Sequence, residues 1–197
     1  MKCYHGTSAE PFEKFSLAHA LEGAGRAKFG WGVYVTERYE TAANYAYKSA
    51  LKRGVTDYYV YTVEIPDMGP DNCLLQMKRV PVTASIVKRV EEKLGVTVPA
   101  EALVEGIPFR KWLGNQLTGN VGTIRQMTEK TTPEGETAVA EFLLGLGVEM
   151  IVWPVHWTNP ELEKDIAVFD DSSIRIVSIE KIVYDPKKKV VIEKITL

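Results

Sequence analysis

Apolar positions recur with two different periods along this chain of 197 residues. Alternation of apolar and polar residues, the period of a half-buried strand, marks residues 57–65 and 174–183. Shorter apolar runs predict five more strands, at residues 1–4, 33–35, 148–152, 166–169 and 190–195. Helical spacing prevails instead at residues 41–52, 82–94, 108–117 and 135–146.

The order of these elements predicts the fold class. Strands at both ends flank a mainly helical middle segment at about residues 82–146, within a single domain that spans residues 1–197. Because regular strand–helix–strand alternation is missing, we expect an α+β fold with mostly antiparallel pairing. Residues 66–81 are predicted as a loop, His5-Gly6 as a turn, and Thr36 as the cap of the helix at 41–52.

Composition narrows the class of protein. The chain is 45% hydrophobic and 25% charged with a net charge of −2, so it can build a core but lacks the basic excess of a nonspecific nucleic-acid binder. Two cysteines do not make a disulfide framework, and three histidines without metal-ligand spacing predict no metal site. Without a signal peptide or a membrane-length apolar run, we expect a cytoplasmic protein, or one delivered into a target cell by another route, with no membrane partner.

Three segments carry the candidate chemistry. Residues 4–8 read YHGTS, residues 29–46 read FGWGVYVTERYETAANYA, and residues 163–176 read EKDIAVFDDSSIRI. They contain imidazole, phenol and carboxylate side chains, each set close to a predicted strand. Singly, each has a structural interpretation: a surface histidine, core tyrosines, and an acidic cluster that forms a solvated turn. Together, and in this order, they predict one ligand pocket built from separate parts of the chain.

The three segments resemble the motifs of the diphtheria-toxin-like, or poly(ADP-ribose)-polymerase-like, ADP-ribosyltransferases. The second fits the pattern FGxGxYxxxxxxxxxANY without a gap, and the likeness is closest to the transferase domains of bacterial and phage polyvalent proteins. The resemblance spans Tyr4 to Ile176 but is weak in the middle, from Pro66 to Gly135. It implies split antiparallel β-sheets with flanking helices, and NAD as the substrate.

The resemblance also implies roles for individual residues. His5 would donate a ring N–H to a ribose hydroxyl of NAD, the backbone of Gly6 would bind the nicotinamide amide, and Tyr34 and Tyr45 would enclose the nicotinamide ring. The predicted NAD-binding set is His5, Gly6, Thr7, Arg26, Gly32, Tyr34 and Tyr45. Arg26, with Lys28, is expected to pair with the pyrophosphate.

The predicted catalytic set is Asp165, Glu163, Tyr34 and His5, since a carboxylate near the ribose would stabilise its cationic transition state. Asp165 is our first choice for this acid and Glu163 our second, with Glu161 also near. Two departures from the family pattern stand out: Asp165 replaces the usual glutamate, and Ala42 replaces a frequent serine.

These residues predict an NAD-dependent mono-ADP-ribosyltransferase, a bacterial or phage toxin or effector that modifies a macromolecule and releases nicotinamide. The acceptor, protein or DNA or RNA, stays open, and Trp31 or Trp112 would be the stacking aromatic for a nucleic acid. An antitoxin or immunity protein is an expected partner. The alternatives are an NAD glycohydrolase and an inactive pseudo-transferase that binds NAD or a partner protein.

Overall fold

The computed structural model describes residues 1–20 and 29–197, apart from the side chain of His19, and these form eight strands and six α-helices. The strands are β1 (Lys2–Thr7), β2 (Val33–Thr36), β3 (Tyr59–Glu64), β4 (Cys73–Leu75), β5 (Met150–Pro154), β6 (Lys164–Val168), β7 (Arg175–Asp185) and β8 (Val190–Thr196). The helices are α1 (Tyr39–Arg53), α2 (Ala84–Leu94), α3 (Ala100–Leu103), α4 (Gly106–Thr118), α5 (Ile124–Glu129) and α6 (Pro133–Leu144). Short 3₁₀ turns occupy Leu17–His19 and Asp171–Ser173.

The strands form one sheet in the order β4-β5-β6-β2-β1-β3-β7-β8. Every neighbouring pair is antiparallel except β4–β5, so the prediction of mostly antiparallel pairing is confirmed and the architecture is compatible with the α+β class. The sheet is continuous rather than divided into two, but its centre is weakly joined. Within the described strands, β1 pairs with β2 at one position, Tyr4 opposite Thr36.

Helices α2 to α6, which we call the helical segment, form the crossover between the parallel strands β4 and β5. Parallel neighbours need a long connection, and this one brings its own core. Phe109, Trp112 and Leu143 of the helical segment pack against Ile151 and Trp153 of β5.

Helix α1 covers the same face of the sheet farther along, over β1, β3 and β7. Its buried alanines, Ala42, Ala43, Ala46 and Ala50, pack with Val60 and Ile182, and small side chains allow this close approach. The opposite face is closed by the segment at residues 9–20, whose Phe15 packs on Cys3 and Tyr61. Cys3 is fully buried in this contact.

Several local predictions were wrong. β1 continues through Thr7, so His5-Gly6 lies within a strand rather than a turn, because the whole of β1 pairs with β3. Thr36 belongs to β2 and pairs with Asp165, while α1 begins after Arg38. β4 lies in the predicted loop, and the short helices α3 and α5 were missed. No helix in the described parts of the chain is long and apolar enough to span a bilayer.

Candidate active site between helix α1 and the helical segment

Tyr34 is fixed at the middle of β2 by its own preceding loop. Its hydroxyl donates to the carbonyl oxygen of Gly30 at 2.7 Å and accepts the backbone N–H of Phe29 at 3.3 Å. Its ring meets Trp153 edge to face, with centroids 5.1 Å apart. Burial raises the pKa of Tyr34 to about 12, so the phenol stays neutral. Tyr34 thereby shapes the loop that leads into β2.

Asp165 lies on the same face of the sheet as Tyr34, one strand away. On β6 it is paired with Thr36 of β2 and with Trp153 of β5, and it is 6% exposed. Opposed residues in antiparallel strands point to the same face, so Asp165 and Trp153 are side by side. Trp153 is therefore a neighbour of both the candidate acid, which it faces across the strand pair, and Tyr34, whose ring it contacts. It was not predicted as a site residue.

Tyr45 reaches Asp165 from helix α1. Its hydroxyl donates to Asp165 Oδ2 at 2.8 Å, while its side chain remains 40% exposed. Asp165 Oδ1 is buried and has no hydrogen-bond partner within the described parts of the chain. A buried acceptor without a partner is costly, which marks this carboxylate as a candidate for function.

The pKa of Asp165 is raised to about 6, first by burial and also by the nearby Glu163, against the opposing effects of the Tyr45 hydrogen bond and of the polar groups of Thr36 and Trp153. Desolvation disfavours the charged form of a carboxyl group, and here it outweighs the hydrogen bond. The pKa of Tyr45 is likewise raised, first by burial and then by Asp165. Asp165 therefore titrates close to neutrality, where a group can both hold charge and take up a proton.

Glu163, the second candidate acid, has a different environment. It is 2% exposed, and its Oε1 accepts the hydroxyl of Thr36 at 3.1 Å. Its Oε2 lies 3.8 Å from His156 Nε2. Glu161 is at the surface beside Lys164, 3.3 Å away. Of the three acids, Asp165 is the one that contacts a predicted site tyrosine.

His5 points to the opposite face of the sheet from Tyr34 and Tyr45. Its Nδ1 lies 2.7 Å from the carbonyl oxygen of Tyr34, and its ring meets Phe15 edge to face at 5.1 Å. Burial lowers the pKa of His5, which keeps the imidazole neutral. A carbonyl oxygen can only accept, so Nδ1 carries the single proton and Nε2 is an acceptor.

The role expected for His5 toward NAD stays a prediction. Its ring N–H is committed to the carbonyl oxygen of Tyr34, and the ring packs on Phe15 across the sheet from Tyr34, Tyr45 and Asp165. The imidazole also bridges β1 and β2 beyond the point where their pairing stops, at Tyr4 opposite Thr36. His5 thus holds the backbone of Tyr34 in place.

Two glycines of the motifs are explained by packing of the protein itself. A Cβ on Gly6 would lie 1.8 Å from the carbonyl oxygen of Ala42, so only glycine lets α1 rest on β1. Gly32 has φ +148°, and a Cβ there would meet the carbonyl oxygen of Val168 at 2.7 Å. Ala42 is fully buried at the Gly6 contact.

The remaining predicted binding residues are placed differently. The Thr7 hydroxyl accepts the backbone N–H of Ala9 at 3.1 Å, which turns the chain after β1. Arg26 and Lys28 lie outside the described residues. In the described chain, no group of three or more histidine, cysteine, aspartate or glutamate side chains is arranged to hold a metal ion.

The fold thus brings Tyr34, Tyr45 and Asp165 to one face of the sheet, between α1 and the helical segment. His5 lies on the other face. Asp165 is flanked by Trp153 and Thr36, neither of which was predicted as a site residue. Trp153 lies in a strongly apolar run. Antiparallel pairing of that run with residues 164–168 places Trp153 opposite Asp165, and this pairing would have selected it as a site residue. Comparison of the chain with protein-family models, curated proteins and solved structures finds no match in any of the three.

Proposed function

We propose that this chain is an NAD-dependent mono-ADP-ribosyltransferase that moves ADP-ribose to a macromolecular acceptor and releases nicotinamide. The observation that carries the proposal is a buried carboxylate, Asp165, hydrogen-bonded to Tyr45 and joined to Tyr34 through Trp153. The motif likeness gives these residues their roles, with the ADP-ribosyltransferase-like fold as part of the same proposal.

In this proposal the two tyrosines bind the nicotinamide ring. Aromatic faces suit the flat nicotinamide ring, which is cationic while it is bonded to ribose, and burial raises the pKa values of Tyr34 and Tyr45 further above neutrality. Tyr45 is the more exposed of the two, so it forms the entrance side of the site. His5 contributes indirectly by fixing the carbonyl of Tyr34.

Asp165 supplies the charge that the reaction needs. As the bond from the ribose carbon to the nicotinamide nitrogen breaks, its electron pair leaves with nicotinamide and the ribose becomes cationic. An ionised Asp165 stabilises that cation, most strongly where water is excluded. The acceptor atom then bonds to the same carbon and loses its proton, which a carboxylate of pKa about 6 can take up.

Radiolabelled NAD and a host lysate test the proposal. Wild-type protein is expected to release nicotinamide and label a macromolecule, and Asp165→Asn is expected to do neither. Asp57→Asn is the matched control, because Asp57 is a surface carboxylate paired with Lys181. Equal labelling by wild type and Asp165→Asn would refute the catalytic role of Asp165, and the absence of both products from wild type would refute the transferase.

Two other outcomes of this assay correspond to other functions. Free ADP-ribose without a labelled macromolecule would identify an NAD glycohydrolase, in which water is the acceptor. NAD binding without turnover would identify an inactive pseudo-transferase. Two departures from the family pattern motivate the latter: Asp165 stands where a glutamate is usual, and Ala42 where a serine is frequent.

The toxin or effector role is a separate part of the proposal. Expression of wild type in a bacterial host is expected to arrest growth, while Asp165→Asn and Tyr34→Ala permit it. Rescue of the arrested cells by a neighbouring gene product would identify an antitoxin or immunity protein. Equal growth with all three forms would refute toxicity.

A further inference from the structure

A shallow cavity, largely open to solvent, lies at the surface beside Phe29. It has a volume of about 350 Å³ and is lined by Phe29, Lys78, Glu105, Ile107 and Trp157. This volume falls within the range of about 300–1,000 Å³ typical of small-molecule pockets. None of its lining residues belongs to the predicted NAD-binding set, so its ligand is open.

One lining residue, Phe29, also contacts residues of the proposed site. The backbone N–H of Phe29 donates to the Tyr34 hydroxyl, and its ring stacks on Trp153 at 4.7 Å and 14°. Trp157 lies between β5 and β6, in the connection that leads into the strand bearing Asp165. The cavity and the proposed site therefore share the wall formed by Phe29.

The lining has the chemistry of a stacking platform. The rings of Phe29 and Trp157 are 6.3 Å apart and inclined by 30°, and the Lys78 ammonium lies 5.9 Å from the centre of the Trp157 ring. Flat aromatic faces beside a cation fit a nucleobase and its phosphate. Glu105 adds a carboxylate acceptor suited to an exocyclic amino group.

Other aromatic residues are less suitable for this task. Trp112, one of the two tryptophans suggested by the sequence, is 2% exposed and belongs to the core of the helical segment. Trp31, the other, is partly buried against the same core, as Phe29 is, but it is not among the residues that line the cavity. The stacking residue expected from the sequence is thus replaced by Trp157.

We propose that this cavity binds a nucleobase of a single-stranded nucleic acid, which is the acceptor of the transferred ADP-ribose. A cationic side chain of a protein acceptor would be repelled by the Lys78 ammonium. An acidic side chain would pair with Lys78 but would not stack on the aromatic rings. The net charge of −2 fits a short footprint of one or a few nucleotides rather than a long duplex. The inference rests on the transferase function proposed above.

Binding of a fluorescently labelled single strand of about eight nucleotides, as DNA and as RNA, tests the cavity directly. Trp157→Ala is expected to weaken binding about tenfold or more, and Trp157→Phe to keep most of it, because phenyl also stacks. Lys78→Gln is expected to lower the salt dependence by about one phosphate contact. Lys88→Gln, a substitution of an exposed lysine on α2, is the control and is expected to bind as wild type does.

NAD binding, measured by calorimetry on the same proteins, separates the two proposals. Unchanged NAD affinity in Trp157→Ala, with weakened strand binding, supports the acceptor site. Strand binding that depends on Trp157 without any NAD binding would refute the transferase and leave the nucleobase site supported. Wild-type binding of the strand by both Trp157→Ala and Lys78→Gln would overturn the inference, as would a labelled product that resists nucleases and is digested by protease.

Discussion

The sheet centre and the helical segment each bury a carboxylate, and the two are satisfied in different ways. Glu136 of α6 is paired with the guanidinium of Arg110 on α4, and both side chains are almost fully buried. Asp165 of β6 has a tyrosine hydroxyl as its partner, and no described cation lies within ion-pair distance. Burial raises the pKa of both acids, but Arg110 opposes the shift at Glu136.

The presence or absence of a cationic partner distinguishes a structural acid, Glu136, from a candidate catalytic acid, Asp165. The Arg110–Glu136 ion pair offsets part of the desolvation of its two charges and joins two helices. A buried acid without a cation costs stability at neutral pH, and proteins keep such groups mainly where chemistry requires them. We therefore expect the free energy of unfolding to fall when Glu136 loses its cation and to rise when Asp165 loses its charge.

The largest expected effect is on the helical segment. Arg110→Met leaves Glu136 buried without its cation and is expected to lower the free energy of unfolding by about 3–5 kcal/mol, measured by urea titration. The double substitution Arg110→Met/Glu136→Leu is expected to recover most of the loss. Unchanged stability in the single variant would show that the pair is not a structural element.

Asp165→Asn is expected to change activity and stability in opposite directions. Loss of the charge should reduce nicotinamide release by about 10²–10³-fold. The variant should nevertheless be more stable by up to about 2–3 kcal/mol near pH 7.5, because a shift of about two pKa units no longer opposes folding. A variant that is inactive and also less stable would place Asp165 with the structural acids.

The pH dependence of stability sharpens the same contrast. The folded-state pKa of Asp165, about 6, lies above the ordinary value of 3.8, so the folded protein holds this proton more tightly than the unfolded chain. Its favourable contribution is present in full below about pH 4 and is lost as the pH rises through about 6. As the pH rises from about 4 to about 6, wild type should therefore lose unfolding free energy relative to Asp165→Asn. Parallel plots of unfolding free energy against pH for the two proteins would contradict the raised pKa.

The smallest effect is expected from Tyr45→Phe, which keeps the ring and removes the hydrogen bond to Asp165. Stability should fall by about 1 kcal/mol, and the acid limb of the activity profile should move to higher pH, because the bond that lowers the pKa of Asp165 is gone. Tyr47→Phe on the same helix is the control, since Tyr47 packs on Tyr58 and Tyr184 away from the site. Identical pH profiles for the two variants would show that the bond does not tune Asp165.

Local periodicity was sufficient to predict the long elements. The helices at α1, α2, α4 and α6 and most strands follow from the spacing of apolar residues, and α2 ends at Leu94, the predicted boundary. β4 has three residues and α3 four, too short for a period to be visible, so the parallel β4–β5 pair was missed. Its pairing depends on contacts made across the whole helical segment.

The site was predictable by residue type and only partly by geometry. The motifs selected Tyr34, Tyr45 and Asp165, which the fold brings to one face. The sequence alone does not predict that His5 points to the other face of the sheet. Its direction follows from the pairing of β1 with β3, in which His5 lies opposite Tyr61. Trp153 and Thr36 entered the site through strand register, which is a property of the assembled sheet.

A crystal structure of the protein with NAD bound is the most direct test of the central claim. We predict that the nicotinamide ring lies against Tyr34 and Tyr45, and that Asp165 has exchanged its bond from Tyr45 for a contact with the adjoining ribose. NAD bound elsewhere, with Asp165 still held by Tyr45 and remote from the ribose, would contradict the account.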